Sequence, residues 1–563
     1  MSDPVLIGPP LKPDREAVPL CLLVEVREDD VEAAELALRQ VVELTLGKDA
    51  RGTDWRVSRL FPAVEDDREG LDRFFEVTGH VGAYGLERQA WDLAYALRDA
   101  LAKGGHFEVQ PDLPSSVFHP DEEEDPDTTE AWPFGKSKPL PESEPHDWSL
   151  KRMQCPEAWA LSPVPGGAVQ GEGIRIGHPD TGYVIHPELG ADALDLTRDA
   201  DVLAGDDDAR DPLQGGWGRQ PGHGTRTGSV IVSRAGGGIS GAAPLATLVP
   251  IRTIKRVIQV FDRDVAKAVE HARQVGCHVI SMSLGGSDFF GLEAAIERAV
   301  RDGLIVMAAA GNVVEFVVWP AFYPNCLAVA AVNAKDLPWR HSAHGKAVDV
   351  SAPGESVWAA DLALRDPSGV VRSSGTSFAV ANLAGVAALW LAFHGRDALI
   401  ARYGKELIQA VFLQVLTTEG CRQPDRWDAD EWGAGIVDAK ALLEAPLPDP
   451  TSVAQAFEEA AVRRRRTPLE KIESVLPSLE RDEVLRRLAA LFGVGGEGLD
   501  AALVRYADEL RYRLTEDAAF RDAFVRADVT KETAGPPPVG TAELRVALAQ
   551  DASSRLLEAI VES

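Results

Sequence analysis

Apolar positions along this chain fall into successive regimes, each with its own period. Between residues 20 and 112, CLLVEVR reads as a strand and DDVEAAELALRQVVELTL as a helix with an apolar stripe every 3.6 residues. WRVSRLF and RFFEVTGHV follow as strands, LERQAWDLAYALRDAL as a second helix and HFEVQ as a last strand. The order βαββαβ is that of the split βαβ, or ferredoxin-like, plan, an α+β arrangement. From about 148 to 447 the pattern changes to short unbroken apolar runs: IRIGHPD, TLVPIRTI, CHVISMSLG, LIVMAAAG, CLAVAAV and AVDVSAPG. They alternate with amphipathic segments such as DRDVAKAVEHARQVG and GLEAAIERAVRDG. Strands with apolar residues at consecutive positions are buried on both faces. With crossover helices between them, they predict an α/β domain built on a doubly wound parallel sheet. Catalytic groups on such a sheet are expected at the carboxyl ends of strands and at the helix starts that follow.

Composition marks the boundaries between these regimes. HPDEEEDPDTTEAWPFGKSKPLPESEPHD, residues 119–147, carries acids and prolines with almost no aliphatics, so it cannot bury enough surface to offset ordering and reads as a linker. Residues 448–563 read as a charged helical extension, broken at GVGGEG and ETAGPPPVG. Within it, Arg463, Arg464, Arg465 and Arg466 form a basic run, suited either to an acidic protein partner or to a solvated helix face. Over 563 residues, 58 Lys and Arg stand against 88 Asp and Glu, a formal charge of −30. Such a field repels phosphate, which excludes a general nucleic-acid binder. The five cysteines are scattered and form no CxxC, so neither a disulfide framework nor a zinc cluster is expected. The first residues, MSDPVLIGPPLKPDREAVPL, lack the basic and apolar regions of a secretory signal. The longest apolar stretch, residues 378–393, is shorter than the roughly 20 residues of a membrane span. A cytoplasmic protein without membrane contact is the expectation.

Three short motifs carry the chemistry of the central region. IRIGHPDTG ends a buried strand in Asp180, GHGTRTGSVIV places His223 at the start of an apolar helix, and SSGTSFAVANLAGVAALWL opens the most apolar helix of the chain with Ser377. A serine hydroxyl is a poor nucleophile until an imidazole accepts its proton. That imidazole in turn needs a buried carboxylate to fix its tautomer and stabilise its charged form. Asp180, His223 and Ser377 make that set. Each trimer alone is also an ordinary turn or helix cap; their order and their placement at strand ends and helix starts set them apart.

With these motifs the central region resembles the subtilisin-like serine peptidases, the subtilases, over about 300 residues through EWGAGIVDAKALL. The resemblance implies a serine endopeptidase with a protein or peptide substrate, working without a cofactor or metal in its chemistry. It extends to VISMSLGG, similar to the family's substrate-pairing strand, here Ser283, Leu284, Gly285 and Gly286. It extends also to IVMAAAGN, which brings Asn312 to the position of the oxyanion asparagine, beside Gly311 and Val313. A side-chain amide at a strand end and the backbone N–H of Ser377 are the donors that a tetrahedral oxyanion requires. WPAFYPNCLAVAAV resembles the segment closing the pocket for the P1 side chain, and its alignment puts Val318 near the base of that pocket.

The chain departs from the family at several points. Phe378 and Ala381 stand where methionine and proline usually follow the serine. His178, two residues before Asp180, reads as a strand-end core residue. The family's calcium loop is replaced by VSRAGGGIS, which has no carboxylate or amide, whereas a hard cation wants 6 to 8 oxygens. The acidic stretch 201–211 offers either another calcium site or a solvated loop. Many subtilases carry a βαββαβ prodomain that inhibits the enzyme, so residues 1–118 read either as such a self-inhibitor or as an unrelated partner-binding module.

Overall fold

The computed structural model describes the chain except residues 1–16, 62–69, 103–106, 114–143, 163, 214–220, 235–237, 256–261, 287, 289, 361, 363–368, 464–466, 528–547, 549–551 and 562–563. Most of the linker and three of the four clustered arginines therefore lie outside the described residues. The chain divides into two compact units. The first comprises Met1–Leu113, Leu485–Glu509 and Asp522–Ser563; the second comprises Pro114–Val484 and Leu510–Arg521.

In the first unit β1 (Ala17–Val26), α1 (Val31–Leu46), β2 (Arg56–Arg59), β3 (Phe74–Gly82), α2 (Leu86–Leu101) and β4 (Phe107–Pro111) succeed one another. The strands form an antiparallel sheet in the order β2-β3-β1-β4. Asp30 starts α1 by accepting a hydrogen bond from Ala33 N at 3.0 Å, meeting one of the orphan donors of a helix start. Ala34, Leu38 and Val42, four residues apart, are its buried stripe. The late residues of this unit bind α2: Tyr506 meets Tyr95 edge-on at 5.5 Å, Arg505 pairs with Asp99 at 2.7 Å, and Ser554 donates to Asp92 from both N and Oγ. Residues 448–563 are thus shared between the two units rather than forming a third.

The second unit holds β5 (Arg175–Asp180), β6 (Ala200–Asp201), β7 (Thr247–Arg252), β8 (Val279–Met282), β9 (Ile305–Ala309), β10 (Leu327–Val332), β11 (Val350–Pro353), β14 (Cys421–Arg422) and β15 (Ile436–Val437) in one sheet. Its order is β14-β15-β11-β10-β9-β8-β5-β7-β6, parallel except for β14. Strands β8 to β10 are buried at every position, as their unbroken apolar runs require. A separate hairpin pairs β12 (Val357–Ala360) with β13 (Val370–Ser373). Chain order reverses between β5 and β8, so their carboxyl ends open the crevice in which doubly wound sheets place their ligands.

One helix among the described residues, Thr376–His394, is long and apolar enough to cross a membrane. It is buried from Thr376 to Phe393 and packs on β8 to β11 and on the helix His223–Val232. Phe378 and Ala381 lie wholly in this core.

Candidate active site

Asp180 ends β5 at the crevice and is wholly buried. Its carboxylate accepts from Nδ1 of His223, 2.8 Å to Oδ1 and 3.0 Å to Oδ2, and from Thr181 N at 2.6 Å. Burial alone would raise the carboxyl pKa. The attraction of His223 and its bond outweigh that, helped by His178 and Thr181, and the pKa lies below the ordinary value. Asp180 therefore stays ionised and holds His223 with Nδ1 protonated, leaving Nε2 as the basic nitrogen.

The expectation that His178 is core packing is met only in its burial. His178 Nε2 lies 3.1 Å from Thr227 Oγ1 and 3.7 Å from Asp180 Oδ2. Thr227 Oγ1 lies 3.3 Å from that same Oδ2 and 3.0 Å from the His223 carbonyl. With His178 protonated on Nε2, the hydroxyl accepts from that imidazole and donates its one hydrogen to the His223 carbonyl or to Asp180 Oδ2. Burial lowers the His178 pKa, against the pull of Asp180. His178 lies within IRIGHPDTG and Thr227 within GHGTRTGSVIV, and neither motif marks the contact between them.

The acidic stretch 201–211 proves to be a brace rather than a wholly solvated loop. Buried Asp201 pairs with Arg252 and accepts from Leu203 N and Ala204 N. Asp211 Oδ2 accepts from Thr181 Oγ1 and from Gly222 N, both at 2.7 Å, which ties the turn after Asp180 to the start of the histidine helix. Asp208 is half-buried and pairs with exposed Arg210. The VSRAGGGIS loop also gains a carboxylate from elsewhere: Glu188 is buried, accepts from Ser233 Oγ and accepts from Ile239 N at 3.3 Å. Among the described residues no three His, Cys, Asp or Glu side chains converge as a metal site.

Ser377 occupies the second position of the helix Thr376–His394, and His223 the first position of its own helix; the two helices pack together. Ser377 Oγ lies 3.5 Å from the Ser283 carbonyl, and Ser283 Oγ donates to the Ser377 carbonyl at 3.0 Å. The end of β8 is therefore fastened to the nucleophile helix. Ser377 N–H belongs to the first-turn donors that no intrahelical carbonyl can meet, where the helix dipole also favours negative charge.

Asn312 follows β9 and its amide orientation is set by Thr376, whose N and Oγ1 both donate to Asn312 Oδ1, at 3.0 and 2.8 Å. Nδ2 is thereby turned away from Thr376. Thr376 Oγ1 also accepts from Gly311 N at 3.2 Å, so one hydroxyl aligns the strand end with the nucleophile helix. Val313 takes φ +68°, a strained conformation for a β-branched residue that costs about 1–3 kcal/mol, and is pinned by its N–H to the His341 carbonyl at 2.6 Å.

Val318 is wedged between Gly285 and Gly311. A Cβ added to Gly285 would stand 2.6 Å from its Cγ2, and one on Gly311, at φ +120°, 3.1 Å from its Cγ1. Ser283 and Leu284 are buried. Gly286 N donates to the Trp319 carbonyl at 2.8 Å, so its N–H is committed to tying the segment after β8 to the segment carrying Val318.

The subtilase family model matches residues 171–423. Thermitase of Thermoactinomyces vulgaris is 34% identical over 254 residues, 44% of this chain and 82% of that protein. The major intracellular serine protease of Bacillus subtilis strain 168 is 29% identical over 250 residues, 43% of this chain and 73% of that protein. Among solved structures, MycP1 from Mycobacterium smegmatis aligns at 23% identity with a TM-score of 0.43, over 55% of this chain and 88% of the other.

Proposed function

This chain belongs to the subtilase family and is a serine endopeptidase, and we propose that its reaction runs through Ser377, His223, Asp180 and Asn312. His223 Nε2 takes the proton of Ser377 Oγ as the oxygen attacks the scissile carbonyl. The carbonyl oxygen becomes an oxyanion that receives hydrogen bonds from Asn312 Nδ2 and Ser377 N–H. Collapse expels the amine, which leaves with the proton from His223, and the acyl group stays on Ser377. Water, deprotonated by His223, then attacks the ester and releases the acid and the serine. Asp180 keeps the imidazole oriented and stabilises its charged form throughout. The observation carrying this reading is the two-oxygen bond of buried Asp180 to His223 Nδ1.

The substrate is a polypeptide laid in extended form along Ser283, Leu284 and Gly285, with Gly311, Val313 and Val318 around its P1 side chain. An apolar pocket gives a buried charge no partner, so charged P1 residues are disfavoured. Wedged Val318 shortens the pocket and favours Leu or Met over Trp. In this reading the first 118 residues restrain the enzyme, which works in the cytoplasm, and the later helices serve regulation or a protein partner.

A fluorophosphonate probe tests the core of the proposal. Wild type should be labelled on one serine and Ser377→Ala should not. Processed wild-type protein that is folded yet unlabelled would point instead to a peptide-binding scaffold.

A further inference from the structure

Helical segments far along the chain return to the second unit at the pocket that the peptidase reading assigns to P1. Arg511, in the helix Glu497–Glu516, is wholly buried. Its guanidinium lies 4.9 Å from the ring centre of Trp319, the residue after Val318. The same guanidinium approaches the carboxylate of Asp288 at 3.5 Å and donates to the Asp288 carbonyl at 3.3 Å. Asp288 stands two residues beyond Gly286, at the end of the proposed substrate strand. One cation thus joins two segments of the proposed pocket: that of 283–286 through Asp288, two residues on, and that carrying Val318 through Trp319. Lys471, from the helix Pro468–Glu473, adds a second cation 3.5 Å from the Asp288 carboxylate.

A parallel contact lies ten residues on. Arg521 donates to the carbonyls of Leu514 and Thr515 at the end of the same helix, at 2.8 and 2.9 Å, and its guanidinium lies 5.8 Å from the ring centre of Phe316. Phe316 and Trp319 flank Val318 in sequence, and both are buried. Burying a guanidinium is costly without compensation, and here an aromatic face, a carboxylate and a carbonyl supply it. Nε and Nη1 of Arg511 make no hydrogen bond among the described residues, so its placement rests on those three partners.

We propose that Leu510–Arg521 is a built-in part of the P1 pocket, with Arg511 as a positioning residue that fixes the distance between the two segments and so sets which aliphatic side chains the pocket accepts. The proposal rests on the peptidase reading of the site. Arg511 touches no reacting atom; it acts through Trp319 and Asp288.

The test compares wild type with Arg511→Met and Arg511→Lys in the full chain, on peptides varied at P1. Methionine keeps bulk and removes the charge, whereas lysine keeps the charge and loses the planar stack. Arg511→Met should raise KM for the best P1 peptide roughly five- to ten-fold with kcat within about two-fold, and should widen the profile toward larger apolar P1 residues. Arg511→Lys should recover part of the KM and little of the selectivity. Should Arg511→Met fail to fold, Asp288→Asn, which removes the charge partner at constant shape, reads the same split. Unchanged KM and P1 profile in whichever variant folds would overturn the proposal. An equal fall of kcat across all P1 residues, with the profile unaltered, would overturn it as well. Fluorophosphonate labelling of processed wild type runs alongside: unlabelled processed wild type refutes the peptidase reading, whereas labelled wild type with an indifferent Arg511→Met refutes only the role of Arg511.

Discussion

A carboxylate without exposed surface keeps its charge only where its surroundings replace water, and Asp180 does so with His223, Thr181 and the Thr227 hydroxyl. Because the proposed triad acts as one unit, Ser377→Ala, His223→Ala and the double variant should lose a similar very large factor in kcat. Asn312→Ala should lose about 100- to 1,000-fold with little change in KM, and full activity in that variant would remove it from the oxyanion site. The second imidazole makes a separate claim on stability. His178 has a folded pKa below its ordinary 6.5, held there by burial. A depressed folded pKa contributes stability that is present above the unfolded value and lost as the pH falls. Asp180, also depressed, acts in the same sense below its ordinary 3.8. Thermal melts should therefore decline on the acid side of 6.5, and His178→Val should flatten the upper part of that decline. An acid limb identical in the variant would show that His178 is not its source.

At the scale of elements, a buried carboxylate, Glu188, and a half-buried one, Asp349, place loops by opposite means. Glu188 closes the loop after the histidine helix through Ser233 and Ile239. Glu188→Ala removes the acceptor of the Ile239 N–H and leaves Ser233 Oγ with the Ile239 carbonyl, and a loss of about 1–3 kcal/mol is expected in denaturant melts. Since hydrogen bonds to a side chain hold this loop, the melting temperature should be insensitive to excess EGTA. A drop of more than about 10 °C would mean several kcal/mol of linked cation binding and would defeat this account. Asp349, just before β11, accepts from Ala328 N at 2.8 Å, and burial pushes its carboxyl up to about 6. A raised folded pKa gives stability that is complete below the ordinary 3.8 and lost as pH rises through about 6. Asp349→Asn keeps the acceptor and removes the charge, so it should stabilise the protein by about 2 kcal/mol near neutral pH and by little near pH 4. A variant less stable than wild type at neutral pH would show that the ionised form is bound favourably.

At the scale of the whole chain, the proposed cytoplasmic reading requires the endopeptidase to be restrained, and the proposed restraint is residues 1–118. The stretch 119–147 can span roughly 100 Å at about 3.5 Å per residue, so that connection sets no limit on docking, while release would also have to part α2 from Arg505, Tyr506 and Ser554. Intact mass should show wild type cut between 113 and 147, with Phe118 a suitable P1 residue, and Ser377→Ala uncut. Residues 1–118 supplied in trans should inhibit the processed enzyme. Wild type that stays full length while fully active, with no inhibition in trans, would replace the inhibitor by a docking module.

The sequence by itself determined the regimes of the fold and the residues of the candidate triad, because both are written locally. Period 2, period 3.6 and unbroken apolar runs report how each segment is buried, and DTG, HGT and GTS mark strand ends and helix starts. The tertiary structure alone decided what reaches those residues across the chain. Thr376 orients Asn312 from 64 residues away, Glu188 enters a loop 45 residues downstream, and Arg511 meets Asp288 across 223 residues. None of these partners leaves a periodic or spaced trace. An arginine in an amphipathic helix looks the same whether it faces water or an indole ring, and a threonine before a serine looks the same whether or not its hydroxyl aligns an amide. Packing chooses between such alternatives, since a buried polar group is stable only where a distant segment supplies its partner.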